Sequence, residues 1–388
     1  MGVNNLQIIF DNPTAVFIPG EIITGRVLII VSDSVKIKKV KLKFRGEGNV
    51  LWKEHNLMTG RNSENGTTKT ERYTAKEKYF NHKIILAGGE GKLLLKEGEH
   101  VYQFSVSLPE QLPTTFEAEF GRVQYTAKAV ISIPWGIKKG TEIDFQVISA
   151  LNLNDEPSLA EPKILEREKF YCCCCCKSGP MTMIVYVPHT GFVPGQSIPV
   201  TIELDNNSNV DVDSIIIKLE RVLKFKARFP SSKTKCKEFK IVNVRIEGVK
   251  KHSSKTRMEQ IQIPSSLILP NLKYCGIITD TYFLHVVACV NGGFINEAIS
   301  TNIILGDIPL IIPNGVHQFD YSFQPSNHSY FSSQQIPTNH LPSKGVTEPI
   351  SIPGYAQLVV PSNQLNSVPR NSRKNGTILA HNTQFTRY

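Results

Sequence analysis

The sequence predicts an all-β protein made of two tandem β-sandwich domains followed by a disordered C-terminal tail. Three observations predict it. Short β-branched and apolar runs recur along the chain with almost no helical periodicity. A segment near the start reappears without gaps at an offset of 175 residues, Phe17 to Phe192. From residue 313 onward Pro, Ser and Asn crowd the chain and alternating apolar patterning stops.

The runs come in order. Residues 20–30 are β-branched and apolar, with glycines at the start. Residues 35–37 and 40–44 alternate apolar and basic side chains with period two, and Lys38-Lys39 shifts the phase by one, as a bulge would. Similar runs follow at 83–86, 101–108, 122–133, 198–204, 214–219, 240–246 and 282–290. Polar or Gly/Pro-bearing stretches separate them, the pattern of a sandwich. Residues 56–72 are polar and are expected as a long hairpin loop.

The repeat pairs Phe17-Ile18-Pro19-Gly20-Glu21 with Phe192-Val193-Pro194-Gly195-Gln196. At the same offset Val40-Lys41-Leu42-Lys43-Phe44 meets Ile215-Ile216-Ile217-Lys218-Leu219. Proline presets φ for a turn and glycine frees the next position before an apolar strand begins. One sandwich is therefore expected to have been duplicated. The boundaries expected are 1–150 for the first sandwich, 151–178 for a connector holding a cysteine run, 179–313 for the second sandwich and 314–388 for the tail.

The formal net charge is +10, but residues 218–257 hold fourteen Lys/Arg against three Asp/Glu, a local +11 that leaves the remainder at −1. A local basic block argues for a local acidic partner. No run reaches the length of a membrane-spanning helix, and MGVNNLQIIF has neither a basic n-region nor an apolar h-region, so no signal peptide is expected. Five of the eight cysteines are consecutive, which does not suit a disulfide framework and argues for a reducing, cytoplasmic setting. Gly88-Gly89-Glu90-Gly91-Lys92 lacks the glycine spacing and the Ser/Thr of a phosphate-binding loop and reads as a turn. No enzyme, cofactor or metal site is expected.

Order and spacing of several motifs point to a family. Phe17-Ile18-Pro19-Gly20-Glu21 with Gly25, then Leu112-Pro113-Thr114-Thr115-Phe116-Glu117 with Gly121 and Tyr125, resemble the N-domain of α-arrestins (arrestin domain-containing proteins). The cysteine run before Lys177-Ser178-Gly179-Pro180, the turn Asp205-Asn206-Asn207-Ser208-Asn209 and the exit Ile304-Leu305-Gly306-Asp307-Ile308-Pro309-Leu310 are similar to that family's C-domain. The resemblance implies two arrestin-like (immunoglobulin-like) sandwiches with a shared interface. It also implies a non-enzymatic trafficking adaptor, cytoplasmic and recruited to plasma membrane and endosomes. Such an adaptor binds cytoplasmic tails of membrane receptors or transporters and brings WW-domain ubiquitin ligases to them. Charged residues of the phosphate-sensing polar core of receptor-binding arrestins find no match here, so none is assigned. A structural scaffold of retromer-subunit type, which shares the fold, is the rival.

Candidate contact residues follow. Lys36, Lys38, Lys41 and Lys43, with Arg45, put most of their cations on one strand face, either as a solvated outer face or as a patch for acidic receptor tails or an anionic membrane surface. Lys233, Lys235 and Lys237 stand in Ser/Thr/Lys stretches expected at hairpin tips, as do Ser253-Ser254-Lys255. Nucleic acid is not expected, because no ladder of aromatic and basic residues accompanies the charge. The five cysteines Cys172, Cys173, Cys174, Cys175 and Cys176 have three readings: a buried strand or linker, S-acylation beside Lys177 and Phe170-Tyr171, or zinc binding, for which a second Cys-x-x-Cys is missing. The tail has no Pro-Pro-x-Tyr. Its nearest WW ligand is Ile352, Pro353 and Tyr355 around Gly354, which keeps the second proline and the tyrosine but loses the pre-set φ of the first. Cargo binding without direct ligase docking is the expectation.

Overall fold

The computed structural model describes residues 2–58, 67–134, 138–171 and 179–312. Among these residues the chain forms eighteen strands and no α-helix. The first nine are β1 Val3–Phe10, β2 Val16–Phe17, β3 Ile22–Val31, β4 Val35–Met58, β5 Thr67–Leu95, β6 Gly98–Ser107, β7 Phe116–Ala118, β8 Gly121–Ser132 and β9 Lys138–Val147. Two 3-10 turns, Leu153–Asp155 and Pro157–Ala160, precede the rest. The others are β10 Lys163–Lys169, β11 Met181–Val187, β12 Gly191–Phe192, β13 Ser197–Asn206, β14 Val212–Ala227, β15 Lys233–Val249, β16 Ser253–Gln262, β17 Ile278–Val290 and β18 Glu297–Leu305. Sheets ordered β1-β3-β6 and β2-β9-β8-β4-β5, with β7 on β8, make the first sandwich. Sheets β10-β11-β13-β16 and β12-β18-β17-β14-β15 make the second.

The duplication is visible atom by atom. β3 and β13 begin and end 175 residues apart. Gly20 and Gly195 hold φ of 81° and 90°, which a Cβ disfavours. Glu21 Oε2 and Gln196 Oε1 accept the backbone N–H of Ile18 and Val193, each at 2.9 Å. β2 and β12 then lie parallel to the last strand of their own sandwich, β9 and β18.

Several expectations need correction. Within the stretch expected as a long loop, residues 56–58 and 67–72 are strand: β4 and β5 stay paired out to Met58 and Thr67, with Trp52 buried and stacked on Tyr73 at 5.4 Å to hold the extension. Gly88 to Lys92 is not a turn between strands but a bulge inside β5, where Gly88 still pairs with Lys39 and Leu93 with Ile37. Lys233 and Lys235 belong to β15 and Ser253 to β16, so the tips lie just before them, because alternation of side chains lets polar residues continue a ladder. Lys163–Lys169, inside the stretch expected as a connector, is a strand paired with β11. The phase shift at Lys38-Lys39 is a true bulge.

The two cores do not follow chain order. The second gathers Met181, Val200, Ile217, Tyr282 and Val286. The first holds an edge-to-face cluster of Phe10, Phe17, Phe44, Phe104 and Phe145. It also takes in Leu223, Phe225 and Ala227 from β14, and Leu272, Cys275, Ile277 and Ile278 from the approach to β17. Phe225 is fully buried and meets Phe120 edge-on at 5.7 Å. Its truncation in Phe225→Ala is expected to cost about 3–5 kcal/mol. Denaturant unfolding should lose that stability in a single transition that carries both sandwiches, and two separated transitions would contradict a shared core.

Candidate functional site

Two constellations bring the charged residues together. The first is a joint between the sandwiches. The β14–β15 hairpin reaches over β5, where Phe229 and Thr74 exchange backbone hydrogen bonds at 2.8 and 3.0 Å. Lys233 Nζ donates to Glu54 Oε2 at 2.5 Å and lies 4.9 Å from the centre of the Tyr73 ring. Trp52 Nε1 donates to the other Glu54 oxygen at 2.9 Å. Lys235 sits 4.3 Å over Phe120, and Lys237 donates to Glu119 at 2.6 Å. Arg228 approaches Glu77, whose carboxylate also accepts the Gly276 N–H. On the far side Asn271 accepts and donates across the joint: its carbonyl takes the Thr114 N–H at 2.8 Å and its side chain reaches Ser149 Oγ and the Ala150 carbonyl. Deeper in β14, Arg221 grips Asp280 with both Nε and Nη2, and Tyr282 donates to the same carboxylate. Burial pushes the Asp280 carboxyl up, and the Arg221 guanidinium pulls against it.

Thus Lys233, Lys235 and Lys237 face the first sandwich. Sequence alone showed a basic block; the acidic and aromatic halves of the joint, Glu54, Tyr73, Phe120 and Glu119, sit in another domain and carried no signal of pairing.

The second constellation is a ridge on the outer face of the larger sheet. Val40, Leu42 and Phe44 point into the core, which turns Lys41, Lys43 and Arg45 outward, and the bulge keeps Lys36 and Lys38 on that face. Register then places Lys83 of β5 and Lys128 of β8 directly beside Lys43, one on each side. Like charges directly opposite one another destabilise a ladder. Lys128 is relieved by Glu142 at 2.7 Å, and Arg45 by Glu47. Burial and the neighbouring Arg45, Lys83 and Lys41 hold the Lys43 pKa below its ordinary value. The row is particular to the first sandwich. At the repeated position Lys218 stands between Asn243 and His285 and approaches Glu220. Lys83 and Lys128 were missed because only register makes them neighbours of Lys43.

Cys172, Cys173, Cys174, Cys175 and Cys176, like Ile352, Pro353 and Tyr355, lie outside the described residues. Among the described residues no group of His, Cys, Asp or Glu could hold a metal ion, and no helix is long and apolar enough to cross a membrane.

A duplicated sandwich with a Pro-Gly entry turn and a crossed joint defines an arrestin-type architecture. Residues 6–154 match the family described as Arrestin (or S-antigen), N-terminal domain, and residues 177–310 match Arrestin (or S-antigen), C-terminal domain. The chain belongs to the arrestin family, among the arrestin domain-containing proteins. It is 26% identical over 286 residues to arrestin domain-containing protein 17 of Caenorhabditis elegans, covering 72% of this chain and 66% of that protein. It is 25% identical over 363 residues to arrestin domain-containing protein 4 of Homo sapiens, covering 92% and 82%. With arrestin domain-containing protein 1 of Homo sapiens it shares 26% over 287 residues, 73% of this chain and 61% of that protein.

The joint has a pH signature. The hydrogen bond from Lys233 holds the Glu54 carboxyl below its ordinary range. A depressed carboxylate supports the folded contact above its ordinary pKa and loses that support as pH falls through the lowered value. Acidification below about pH 4 should therefore change Trp52 emission in a Trp135→Phe background, and Lys233→Ala should show the changed emission already at neutral pH. Identical titrations of the two proteins would show that Lys233 does not hold Glu54.

Proposed function

We propose that this protein is a trafficking adaptor. In this reading it binds cytoplasmic parts of membrane receptors or transporters and promotes their ubiquitination, endocytosis or sorting, from the cytoplasm and at plasma membrane and endosomes. Arrestin-family proteins are non-enzymatic adaptors, and family membership supports the general role. The observation that carries the finer reading is the cross-strand row Lys83, Lys43, Lys128. Three cations on one exposed sheet face, with one carboxylate among them, lack a full set of counter-charges. An acidic or phosphorylated tail laid across the strands supplies them and relieves the repulsion. Lys36, Lys38 and Lys41 extend the same face. Lys233, Lys235 and Lys237 serve a partner only by exchanging their present acceptors, so the ridge is the better first contact.

Ligase recruitment is a separate element of the proposal. It rests on Ile352, Pro353 and Tyr355 as a weakened WW ligand, with the five cysteines 172–176 as acyl acceptors near the membrane. Titration of purified WW domains against the full chain and Tyr355→Ala tests the first point. Equal binding by both removes Tyr355 from the scheme and leaves a cargo-binding or co-adaptor role.

The ridge yields a coupled prediction. A lysine whose pKa is depressed in the folded state weakens that state while protonated, so Lys43→Gln should raise stability at neutral pH. The same change combined with Lys83→Gln and Lys128→Gln should weaken binding of a synthetic peptide of clustered glutamate and phosphoserine by on the order of tenfold or more. Wild-type binding should fall steeply with added salt. Salt-independent binding, or full binding by the triple variant, would send cargo elsewhere on the molecule.

A further inference from the structure

The sheet β10-β11-β13-β16 presents an outer face that neither cargo binding nor ligase recruitment uses. Met183 and Val185 of β11, with Ile202 and Leu204 of β13, point into the core, so the residues between them point out. Register then sets three outward rows. In the first, Ile164 of β10 and Met258 of β16 stand at the two edges, 69% and 55% exposed. In the second, Ile184 lies between Glu166 and Glu203. In the third, Thr182 lies between Glu168 and Asp205. Asp205 accepts hydrogen bonds from Ser254 and Asn207, at 2.5 and 2.8 Å. Glu166, Glu168 and Glu203 are exposed, and no outward position of these rows holds a lysine or arginine. The cations of β10 alternate to the opposite face, where Arg167 and Lys169 approach Glu297. A chain of net charge +10 thus carries an acidic sheet face.

The ridge of the first sandwich has the same layout with the opposite sign. Its lysine row, Lys83, Lys43 and Lys128, runs beside a row in which Ile85 and Val130 flank Lys41. Ile85 is 54% exposed. Each face therefore offers a row with apolar side chains next to a charged row, at the strand spacing common to all sheets, about 4.8 Å. Two sheets laid face to face stand about 10 Å apart. In that arrangement the lysine row meets Glu166 and Glu203, while Ile85 and Val130 meet Ile164 and Met258. Within one chain Ile85 and Ile164 are both exposed, so neither face covers the other.

We infer that the acidic face of the second sandwich docks the lysine-rich ridge of a second copy of this chain. The two surfaces differ, so the contact is heterologous and either closes as a ring or continues head to tail. The match in both sign and row order selects a second copy over an unrelated basic partner, and an anionic bilayer would be repelled by the carboxylates. Assembly covers the ridge, so a docked copy and an acidic peptide exclude one another there. The inference stands on the layout of charge and apolar side chains, and not on the cargo reading of the ridge.

Sedimentation velocity of the full chain is the test. The average mass should rise with protein concentration at low salt and return to that of the monomer at high salt. Glu166→Lys with Glu203→Lys should weaken self-association on the order of tenfold or more, because like charges then face each other. Lys43→Glu with Lys83→Glu should do the same from the other side. The two variants mixed should associate again, since each supplies the complement that the other lacks. Ile268→Ser is the control: that residue is 83% exposed and lies on neither face, and its association should match wild type. The Glu166/Glu203 variant keeps the ridge, so as a monomer it should bind the peptide of clustered glutamate and phosphoserine as wild type does. If neither binds it, the cargo reading fails and the sedimentation result still stands. A wild type that stays monomeric at every concentration, association untouched by either reversal, or no recovery in the mixture would each overturn the inference. Binding of a polylysine peptide by a strictly monomeric wild type, lost in the Glu166/Glu203 variant, would assign the face to a basic partner instead.

Discussion

The penetration of the second sandwich into the core of the first is the constraint on which the rest depends. Phe225, Ile277 and Ile278 are completely or almost completely buried, yet Phe225 and Ile278 belong to strands β14 and β17, whose other residues largely build the second domain, and Ile277 lies on the approach to β17. Separating the sandwiches would return this apolar surface to water, and no exposed ion pair offsets such a loss. The charged contacts at the joint have another role. Lys233 on Glu54 and Lys237 on Glu119 are partly solvated, so they contribute little net stability but choose one placement of the hairpin among the greasy alternatives. Apolar insertion holds the joint closed, and polar pairing decides where.

Buried polar groups reinforce that choice. Asn271 and Ser149 are both largely buried and satisfy each other across the joint, together with Thr114. Shifting the sandwiches would leave them unpaired in a dry environment, which costs more than their bonds stabilise. The Arg221–Asp280 pair works in the same way further inside β14. It is an exacting contact whose value lies in specifying geometry, since desolvation consumes much of its attraction.

The duplication shows how one backbone device can carry two surfaces. Both halves retain the Pro-Gly turn, its left-handed glycine and the side-chain oxygen of Glu21 or Gln196 that receives the Ile18 or Val193 N–H, because those features set strand entry. Away from such backbone needs the copies diverge. Lys43 and Lys218 occupy the same place in the repeat, but the first has lysines on both flanks and the second has an asparagine and a histidine. The first sandwich tolerates the repulsion on its outer face because its stability comes from the Phe10, Phe44 and Phe145 cluster beneath, where charge plays no part.

Much of the architecture was legible in the residues themselves. Period-two alternation, the gapless repeat, the bulge at Lys38-Lys39 and the polar composition of the tail are local properties, and local sterics and burial act on them directly. The flanks of the polar stretch, 56–58 and 67–72, misled for the same reason: their residues look like loop, and only stacking of Trp52 on Tyr73 across the ladder shows why the strands continue. The composition of the ridge was visible in β4, but its width was not, because Lys83 and Lys128 become neighbours of Lys43 through register, which pairs residues far apart in the chain. The lysines of β15 showed a charge excess whose acceptors lie in the other domain. Sequence by itself determined the fold class, the repeat and which faces are basic. Tertiary structure decided that the two cores interlock and that the β15 lysines are engaged across the joint, since both depend on contacts that exist only after the two sandwiches have met.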